Sequence, residues 1–255
     1  MNLRLESLPL ELQKIIGTEP YIQDDMGLSS SSVYIFEHMV LKIDQINSES
    51  IREFEVLKFL EHRLPVPQII YHHIDAEFSY LLMEKIQGQM LCDRDYISQP
   101  ELLVECLADG LKALWQIPIG DCPFDASIAQ KLKTAAYNVT AQLVEVEHWD
   151  LSFNDFKSPE DLLSYLKSNQ PIEDQVFSHG DYCLPNIIYE GKQLKGMIDL
   201  GRAGVSSKWQ DISLAVRSLE YNLGTDAYRA LFFHKLGIED NHHLIRYYML
   251  VDELF

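Results

Sequence analysis

The sequence predicts an α+β fold of two lobes, a small N-lobe that contains a sheet and a mostly helical C-lobe. Short apolar runs of strand length are concentrated in the first third of the chain, whereas apolar residues at helical spacing dominate from about residue 100 onward. The 255 residues suffice for two lobes, and the sequence contains no internal repeat. We place the boundary so that residues 1–86 form the N-lobe and residues 87–255 form the C-lobe.

The N-lobe elements follow from apolar spacing and from helix-breaking residues. A short amphipathic helix is expected around residues 8–16, and Gly17 is expected to end it. A longer helix over about residues 50–63 has a line of apolar side chains on one face, and Pro65 and Pro67 end it. The remaining apolar runs predict strands over residues 33–36, 39–43, 69–71 and 80–83.

The C-lobe combines helices with a β-hairpin. A short strand at residues 175–177 leads into a loop, and strands at residues 187–189 and 194–198 flank a Glu190-Gly191-Lys192 turn. Aromatic residues beside the helical apolar stripes are interpreted as packing residues. The apolar spacing predicts helices over residues 101–116, 128–146, 159–167, 211–223, 226–236 and 242–254.

The loop after residue 177 and the end of the hairpin contain the most informative motif of the chain. Its form is His179-x-Asp181-x-x-x-x-Asn186, followed after the hairpin by Asp199-x-Gly201. Protein kinases use this order for a catalytic Asp, a metal-binding Asn and a second metal-binding Asp. In-line phosphoryl transfer needs a carboxylate for the hydroxyl proton and oxygen ligands for Mg²⁺ on the phosphates. The motif therefore predicts Asp181 as the catalytic residue and Asn186 and Asp199 as Mg²⁺ ligands, the alternative being that the two Asp side chains cap turns.

A lysine in the second predicted strand fits the same chemistry. Kinases hold the α- and β-phosphates of ATP with a strand Lys, which a Glu of the following helix positions. Lys42 and Glu53 have this order in the chain, with Glu55 as the reserve partner. The alternatives are that Lys42 extends its ammonium to solvent and that Glu53 closes a capping box with Ser50.

Together with the motif, the surrounding residues resemble the bacterial aminoglycoside 3′-phosphotransferases. The resemblance covers nearly the whole chain and is densest over residues 176–219. It implies a two-lobed protein-kinase-like fold and an enzyme that moves the γ-phosphoryl of ATP to the 3′-hydroxyl of an aminoglycoside, which confers antibiotic resistance. The matching segments are His179–Ile187, Ile198–Gly204, Asp211–Ile212, Val216–Leu219 and Leu250–Phe255, with shorter matches at Leu41–Lys42, Leu64–Pro67, Leu81–Met83 and Asp121–Phe124.

The resemblance also implies roles for residues outside the motif. Ser29, in a Gly/Ser loop that would otherwise be an ordinary turn, is expected next to the β-phosphate of ATP. The backbone around Met83, Glu84 and Ile86 is expected to hold the adenine. The residues expected to contact the aminoglycoside or its phosphate are Arg202, Asp252, Glu253 and Phe255.

One departure from the family pattern concerns the acceptor site. Relatives have an acidic side chain after Val-Arg-Ser-Leu, whereas this chain has Glu220 followed by Tyr221. Asp150 and Asp155 are further acidic residues, and the sequence does not place them relative to the acceptor site. These differences leave the drug preference open.

Composition limits the possible functions. The net charge of −18 argues against a nucleic-acid-binding protein, because phosphate contacts need clustered Lys and Arg, and it favours a cationic substrate. No apolar run approaches the length of a membrane span, and the first ten residues lack the features of a signal peptide. The four cysteines have no disulfide or zinc spacing, so we expect a cytoplasmic protein. The sequence is silent on oligomeric state, and a monomer is compatible with it.

Two other functions fit parts of the pattern. One is a kinase of the same fold that acts on choline, a fructosamine or another small hydroxyl compound. The other is a non-catalytic regulator that binds a nucleotide. This alternative is weakened because the chain retains the full catalytic set of Lys42, Asp181, Asn186 and Asp199.

Overall fold

The computed structural model describes residues 8–24, 31–152, 154–172 and 174–255. Within these residues the chain divides into two compact units. The first comprises the described residues up to Gly88 together with Lys195–Arg202, and the second comprises Gln89–Leu194 and Ala203–Phe255. The segment Lys195–Arg202 therefore packs with the N-terminal residues, although it lies in the C-terminal half of the sequence.

The first unit contains a five-stranded antiparallel sheet among its described residues. The sequence did not predict its first strand, and the last two strands along the chain extend beyond their predicted limits. In the order in which they pair, the strands are β1 (Ile22–Asp24), β2 (Ser32–Ile35), β3 (Met39–Gln45), β5 (Phe78–Glu84) and β4 (Ile69–Ile74).

A short helix and the sheet form the core of the first unit. Helix α1 (Leu10–Ile16) contributes Leu12 and Ile16 to one buried cluster with Leu41 of β3 and Leu82 of β5. Side chains alternate between the two faces of a strand. Because Leu41 lies in this cluster, its neighbour Lys42 is directed to the opposite face of the sheet.

Helix α2 (Ser48–Leu60) begins two residues before its predicted start because Asn47 caps it. The Asn47 side chain accepts hydrogen bonds from the backbone N–H groups of Glu49 and Ser50, and the Ser50 hydroxyl accepts one from the Asn47 N–H. Ser50 thus forms its capping box with Asn47, so the alternative box between Ser50 and Glu53 was wrong. Glu53 lies one turn further on and is only 3% exposed.

The second unit contains most of the helices. Its strands β7 and β10 pair antiparallel, as do β6 and β8, and a turn at Gly191 connects β8 to the start of β9. In chain order its elements are β6 (Gln89–Met90), α3 (Arg94–Ile97), α4 (Pro100–Trp115), α5 (Ile128–Thr140), α6 (Pro159–Ser168), β7 (Gln175–Ser178), β8 (Ile187–Glu190), β9 (Gln193–Met197), β10 (Gly204–Ser207), α7 (Lys208–Leu223), α8 (Arg229–Leu236) and α9 (His242–Asp252).

Several helix ends differ from the predicted ones for local reasons. Helix α5 ends at Thr140 rather than at residue 146, because Gln142 adopts a left-handed conformation with φ of 57°. Helix α7 begins at Lys208, three residues before its predicted start, because the Ser207 hydroxyl accepts a hydrogen bond from the Trp209 N–H. Strand β10, directly before this cap, was not predicted.

Within the ranges given above, no helix is both long enough and apolar enough to cross a bilayer.

Candidate active site

Lys42 is held by two carboxylates in the first unit. Its Nζ lies 2.9 Å from Glu53 Oε2 and 2.8 Å from Asp199 Oδ1. The Lys42 side chain is 15% exposed and that of Glu53 only 4%, whereas the Asp199 side chain is 47% exposed. Lys42 therefore connects a buried carboxylate of α2 to a partly exposed one at the end of the hairpin.

The charges of this cluster stabilise one another. Burial opposes the charge on Lys42, but Glu53 and Asp199 outweigh this effect and raise the pKa of the ammonium above its ordinary value. Burial also opposes the negative charge on Glu53 and so raises its pKa, and the adjacent Lys42 counteracts that rise. Lys42 is thus a permanent cation at neutral pH.

The residues that follow Asp199 pack against the start of α2. Asp199 has a φ of 60°, a left-handed conformation that Asp tolerates better than most residues. A Cβ on Gly201 would lie 2.9 Å from the Glu49 carbonyl oxygen, so only glycine fits there without a shift. Arg202 Nε donates to Glu49 Oε1 at 3.0 Å. Arg202, predicted to contact phosphate or substrate, is therefore engaged with α2.

The predicted adenine-binding segment follows β5. Met83 is buried and pairs with Val40 of β3, while the Glu84 N–H donates to the Gln68 carbonyl at 2.8 Å. The Ile86 side chain packs against Gly196 so closely that a Cβ at that position would clash with Ile86 Cδ1. Among the described residues, the Ile86 N–H donates no hydrogen bond to the protein. A backbone donor beside an apolar side chain is suited to a planar heterocycle. Ser29 lies outside the described residues.

Asp181 and Asn186 contact each other in the second unit. Strand β7 leads into their loop, and Asn186 stands directly before β8. Asn186 Nδ2 donates to the Asp181 carbonyl oxygen at 3.0 Å and to Asp181 Oδ2 at 3.1 Å. The Asp181 N–H donates to His179 Nδ1 at 3.3 Å. These contacts fix the carboxylate of Asp181 and direct the amide oxygen of Asn186 away from it.

Asp211 organises the same loop, although no role was predicted for it. It is fully buried, and its carboxylate accepts hydrogen bonds from Ser178 Oγ at 2.9 Å, from the His179 N–H at 2.8 Å and from the Gly180 N–H at 2.9 Å. Burial raises the pKa of Asp211, and the hydrogen bonds from the His179 and Gly180 N–H groups and from the Ser178 hydroxyl counteract the rise. The position was visible in the sequence only as part of Trp-Gln-Asp-Ile in the family pattern.

The C-terminal residues are packed against other segments of the second unit. Asp252 Oδ2 lies 2.5 Å from an Nη of Arg217 on α7. Glu253 accepts hydrogen bonds from Asn154 Nδ2 at 3.2 Å and from the Asp150 N–H, and burial raises its pKa. Phe255 is 42% exposed, with Lys131 Nζ 5.8 Å from its ring centroid.

The other acidic residues near this region are engaged elsewhere. Glu220 pairs with Arg229 at 3.2 Å, and Asp155 pairs with Arg246 at 2.5 Å. Tyr221, the next residue, is 85% exposed. The carboxylate of Glu220 therefore forms an ion pair with an arginine of the same unit.

The side chains of Asn186 and Asp199 have oxygen atoms of the kind that bind Mg²⁺ when it arrives with a nucleotide. In the part of the chain that the structure describes, no group of three or more His, Cys, Asp and Glu side chains could hold a metal by itself. Mg²⁺ typically takes one or two carboxylates and completes its shell with water and substrate phosphates. Asn186 has an amide oxygen in the second unit and Asp199 has a carboxylate in the first, and both are oxygen ligand types that Mg²⁺ takes.

Comparison with known proteins identifies the family. Residues 23–248 match the phosphotransferase enzyme family. The chain belongs to this phosphotransferase family. The match includes every predicted site residue up to Arg202 and ends four residues before Asp252.

Relatives of this phosphotransferase align along their whole length. It is 36% identical to the aminoglycoside 3′-phosphotransferase of Niallia circulans, with 100% of both chains covered. It is 35% identical to that of Enterococcus faecalis over 96% of this chain and 97% of the relative. The crystal structure of an aminoglycoside-3′-phosphotransferase of type VIII has a TM-score of 0.82 at 25% identity and covers 96% of this chain and 97% of that one. The predicted family and the kinase-like fold class are confirmed.

The predicted site residues of this phosphotransferase form three groups. Lys42, Glu53 and Asp199 contact one another in the first unit, and Asp181 and Asn186 contact each other in the second. The C-terminal residues Asp252, Glu253 and Phe255 form a third group with partners from the second unit.

Proposed function

We propose that this protein is an aminoglycoside O-phosphotransferase that moves the γ-phosphoryl group of ATP to the 3′-hydroxyl of an aminoglycoside and so confers resistance. The observation that carries the proposal is the fixed carboxylate of Asp181, held by Asn186 at 3.1 Å in a motif of phosphoryl-transfer enzymes. The relatives named above, at 35–36% identity over nearly the full length, support the aminoglycoside as acceptor.

The reaction assigns a distinct task to Asp181. The acceptor hydroxyl oxygen forms a bond to the γ-phosphorus while the bond from that phosphorus to the β,γ-bridging oxygen breaks. The hydroxyl proton passes to the Asp181 carboxylate, and ADP leaves with the bridging oxygen. Positioning of the hydroxyl in line with the leaving group supplies much of the rate enhancement.

The first unit would bind the nucleotide. Lys42 would contact the α- and β-phosphates, with Glu53 holding its ammonium, and Ser29 would lie near the β-phosphate. The backbone at Glu84 and Ile86 would hydrogen-bond the adenine, with Met83 beside it. Asn186 and Asp199 would hold Mg²⁺, which neutralises charge on the phosphates when bound. This assignment makes residues 1–86 the nucleotide lobe and residues 87–255 the catalytic and acceptor lobe.

The second unit would bind the drug through its C-terminal carboxylates. Aminoglycosides carry several ammonium groups, and charge-assisted hydrogen bonds to carboxylates are the strong ones. Asp252 and Glu253 supply such groups, and Phe255 adds an apolar surface. Arg202, in the first unit, would contact phosphate or substrate. The pairing with Arg217 orients the carboxylate of Asp252.

An acceptor panel tests this proposal against its alternatives. The purified protein would be incubated with ATP, Mg²⁺ and either kanamycin, neomycin, choline or a fructosamine, and ADP release would be followed. We expect release with the aminoglycosides alone. Release with choline or the fructosamine would favour the alternative kinase, and nucleotide binding without any turnover would favour the regulator.

Replacement of Glu53 is expected to weaken the use of ATP. Glu53→Ala removes the buried partner of Lys42, so the ammonium loses its position and the apparent KM for ATP rises by about tenfold, with little change for the acceptor. Lys42→Ala should show a larger effect of the same kind. Steady-state kinetics with each substrate varied in turn would measure both constants. Glu55→Ala is the matched control, and a defect there without one in Glu53→Ala would contradict the pairing.

Neutralisation of Asp252 is expected to weaken the use of the drug. Asp252→Asn keeps the size of the side chain but removes a charge, so the KM for kanamycin should rise by about tenfold while that for ATP stays constant. Added salt should reduce the difference, because exposed ion pairs are screened. Asp155→Asn, which also breaks a pair with an arginine, is the control. Equal losses in both KM values would indicate a folding defect instead.

A further inference from the structure

Two buried side chains behind the loop of Asp181 each have a polar atom without a partner. Among the described residues, neither His179 Nε2 nor Gln210 Oε1 makes a hydrogen bond. His179 is 0% exposed and Gln210 is 1% exposed, so bulk water does not reach them. Buried polar atoms are nearly always satisfied, because an unpaired one loses its hydration without compensation. Two such atoms in one region therefore indicate a further partner.

The hydrogen-bonding roles of these two atoms are complementary. His179 Nδ1 accepts from the Asp181 N–H at 3.3 Å and so carries no hydrogen, which leaves the ring hydrogen on Nε2. His179 Nε2 is consequently a donor without an acceptor. Gln210 Oε1 is an acceptor without a donor, since its own Nε2 is directed to the Gly180 carbonyl at 3.5 Å.

Contacts of the loop backbone bring Gln210 close to the segment of His179 and Gly180. Gln210 lies in the first turn of α7, and its neighbour Asp211 binds the backbone N–H groups of His179 and Gly180. The first turn of α7 therefore faces the residues just before Asp181. Ser206 Oγ, at the end of β10 before this helix, is also buried and without a partner in the described part of the chain.

We propose that an ordered water molecule links His179 Nε2 to Gln210 Oε1 and that Gln210 is thereby a positioning residue for Asp181. Buried waters typically make about three hydrogen bonds to groups that are otherwise unsatisfied, and the Ser206 hydroxyl supplies a third group of this kind. The water accepts the Nε2 hydrogen of His179 and donates one of its own to Gln210. The inference rests on the proposed function, because Asp181 is the residue that it positions.

The consequence for Asp181 follows from the tautomer of His179. A water acceptor at Nε2 keeps the proton on that nitrogen and leaves Nδ1 free to accept from the Asp181 N–H. Without the link, the ring can rotate or take the other tautomer, in which Nδ1 no longer accepts. The backbone of Asp181 then loses one of its constraints, although Asn186 still holds the side chain.

The variant Gln210→Met tests the link. Methionine has a similar length but lacks the amide oxygen that would accept the hydrogen bond from the water. We expect kcat to fall by about tenfold with both KM values unchanged, since misorientation of a reacting group lowers the rate more than binding. The ¹⁵N spectrum should show the Nε2–H tautomer of His179 in the wild type and a larger share of the other tautomer in the variant. Ser213→Ala, a buried change on the same helix that bonds only to its own turn, should alter neither readout.

A measurement on the wild type keeps the inference testable if the variant fails to fold. The His179 Hε2 proton should show a nuclear Overhauser contact to a long-lived water, and its absence would overturn the link. A wild-type kcat in Gln210→Met with an unchanged His179 spectrum would do so as well. If the wild type transfers no phosphoryl group, the proposed function fails, whereas the two spectroscopic readouts still decide whether the water is present.

Discussion

The variant Asp181→Ala is expected to lose about 10²–10⁴-fold in kcat while its affinity for ATP stays close to that of the wild type. Asp181 acts on the acceptor hydroxyl, so its removal deprives the reaction of a proton acceptor and of hydroxyl positioning, but of no nucleotide contact. Its partner Asn186 loses one of two hydrogen bonds to Asp181 and keeps the one to the backbone carbonyl at 3.0 Å. Calorimetric titration with ATP and single-turnover kinetics would measure the two effects separately.

Two further variants sharpen this result. Asp181→Asn keeps the shape of the side chain and should be nearly as inactive, because an amide does not accept the proton. Asp199→Ala should instead impair nucleotide binding and turnover together, since it removes a proposed Mg²⁺ ligand and a partner of Lys42. Turnover near the wild-type level in Asp181→Asn would exclude Asp181 as the proton acceptor.

The variant Asp211→Asn is expected to lower both the activity and the stability of the protein. Its carboxylate accepts three hydrogen bonds from Ser178, His179 and Gly180. An amide of the same size turns an NH₂ group toward at least one N–H of the loop, which leaves buried donors unsatisfied and costs about 1–3 kcal/mol for each one. We expect a free energy of unfolding lower by about 3 kcal/mol and a kcat lower by about 10²-fold.

Chemical denaturation and steady-state kinetics would measure these two losses. Asp109→Asn is the matched control and should change neither quantity, because Asp109 is exposed on α4 and, among the described residues, forms an ion pair with Lys112. A variant Asp211→Asn with wild-type stability would show that the loop does not depend on this carboxylate. Lowered stability with a wild-type kcat below the unfolding temperature would limit Asp211 to a structural role.

The parts of the site that follow from local periodicity could be predicted from the sequence. Alternation along β3 directs Lys42 away from the core residue Leu41, and Glu53 lies on the helix that follows, so their contact depends on two short elements. The order of Asp181, Asn186 and Asp199 follows from one loop and one hairpin. In each case the sequence separation is short or the residue type is constrained by the chemistry.

The parts that depend on contacts between distant segments could not be predicted. Asp211 binds a loop more than 30 residues earlier in the chain, and nothing in its local sequence distinguishes it from a carboxylate in the first turn of a helix. Glu253 binds Asn154 and the Asp150 N–H across about 100 residues. The early end of α5 depends on the left-handed Gln142, a conformation without a strong sequence signal.

The central claim is transfer of a phosphoryl group to a 3′-hydroxyl, and a pair of acceptors that differ only there tests it most directly. Kanamycin B and its 3′-deoxy analogue tobramycin would each be incubated with the protein, ATP and Mg²⁺ and then analysed by mass spectrometry. The proposed function predicts that kanamycin B gains the mass of one phosphoryl group and that tobramycin does not. Equal modification of both drugs would assign the reaction to another hydroxyl, and modification of neither would contradict the proposed function.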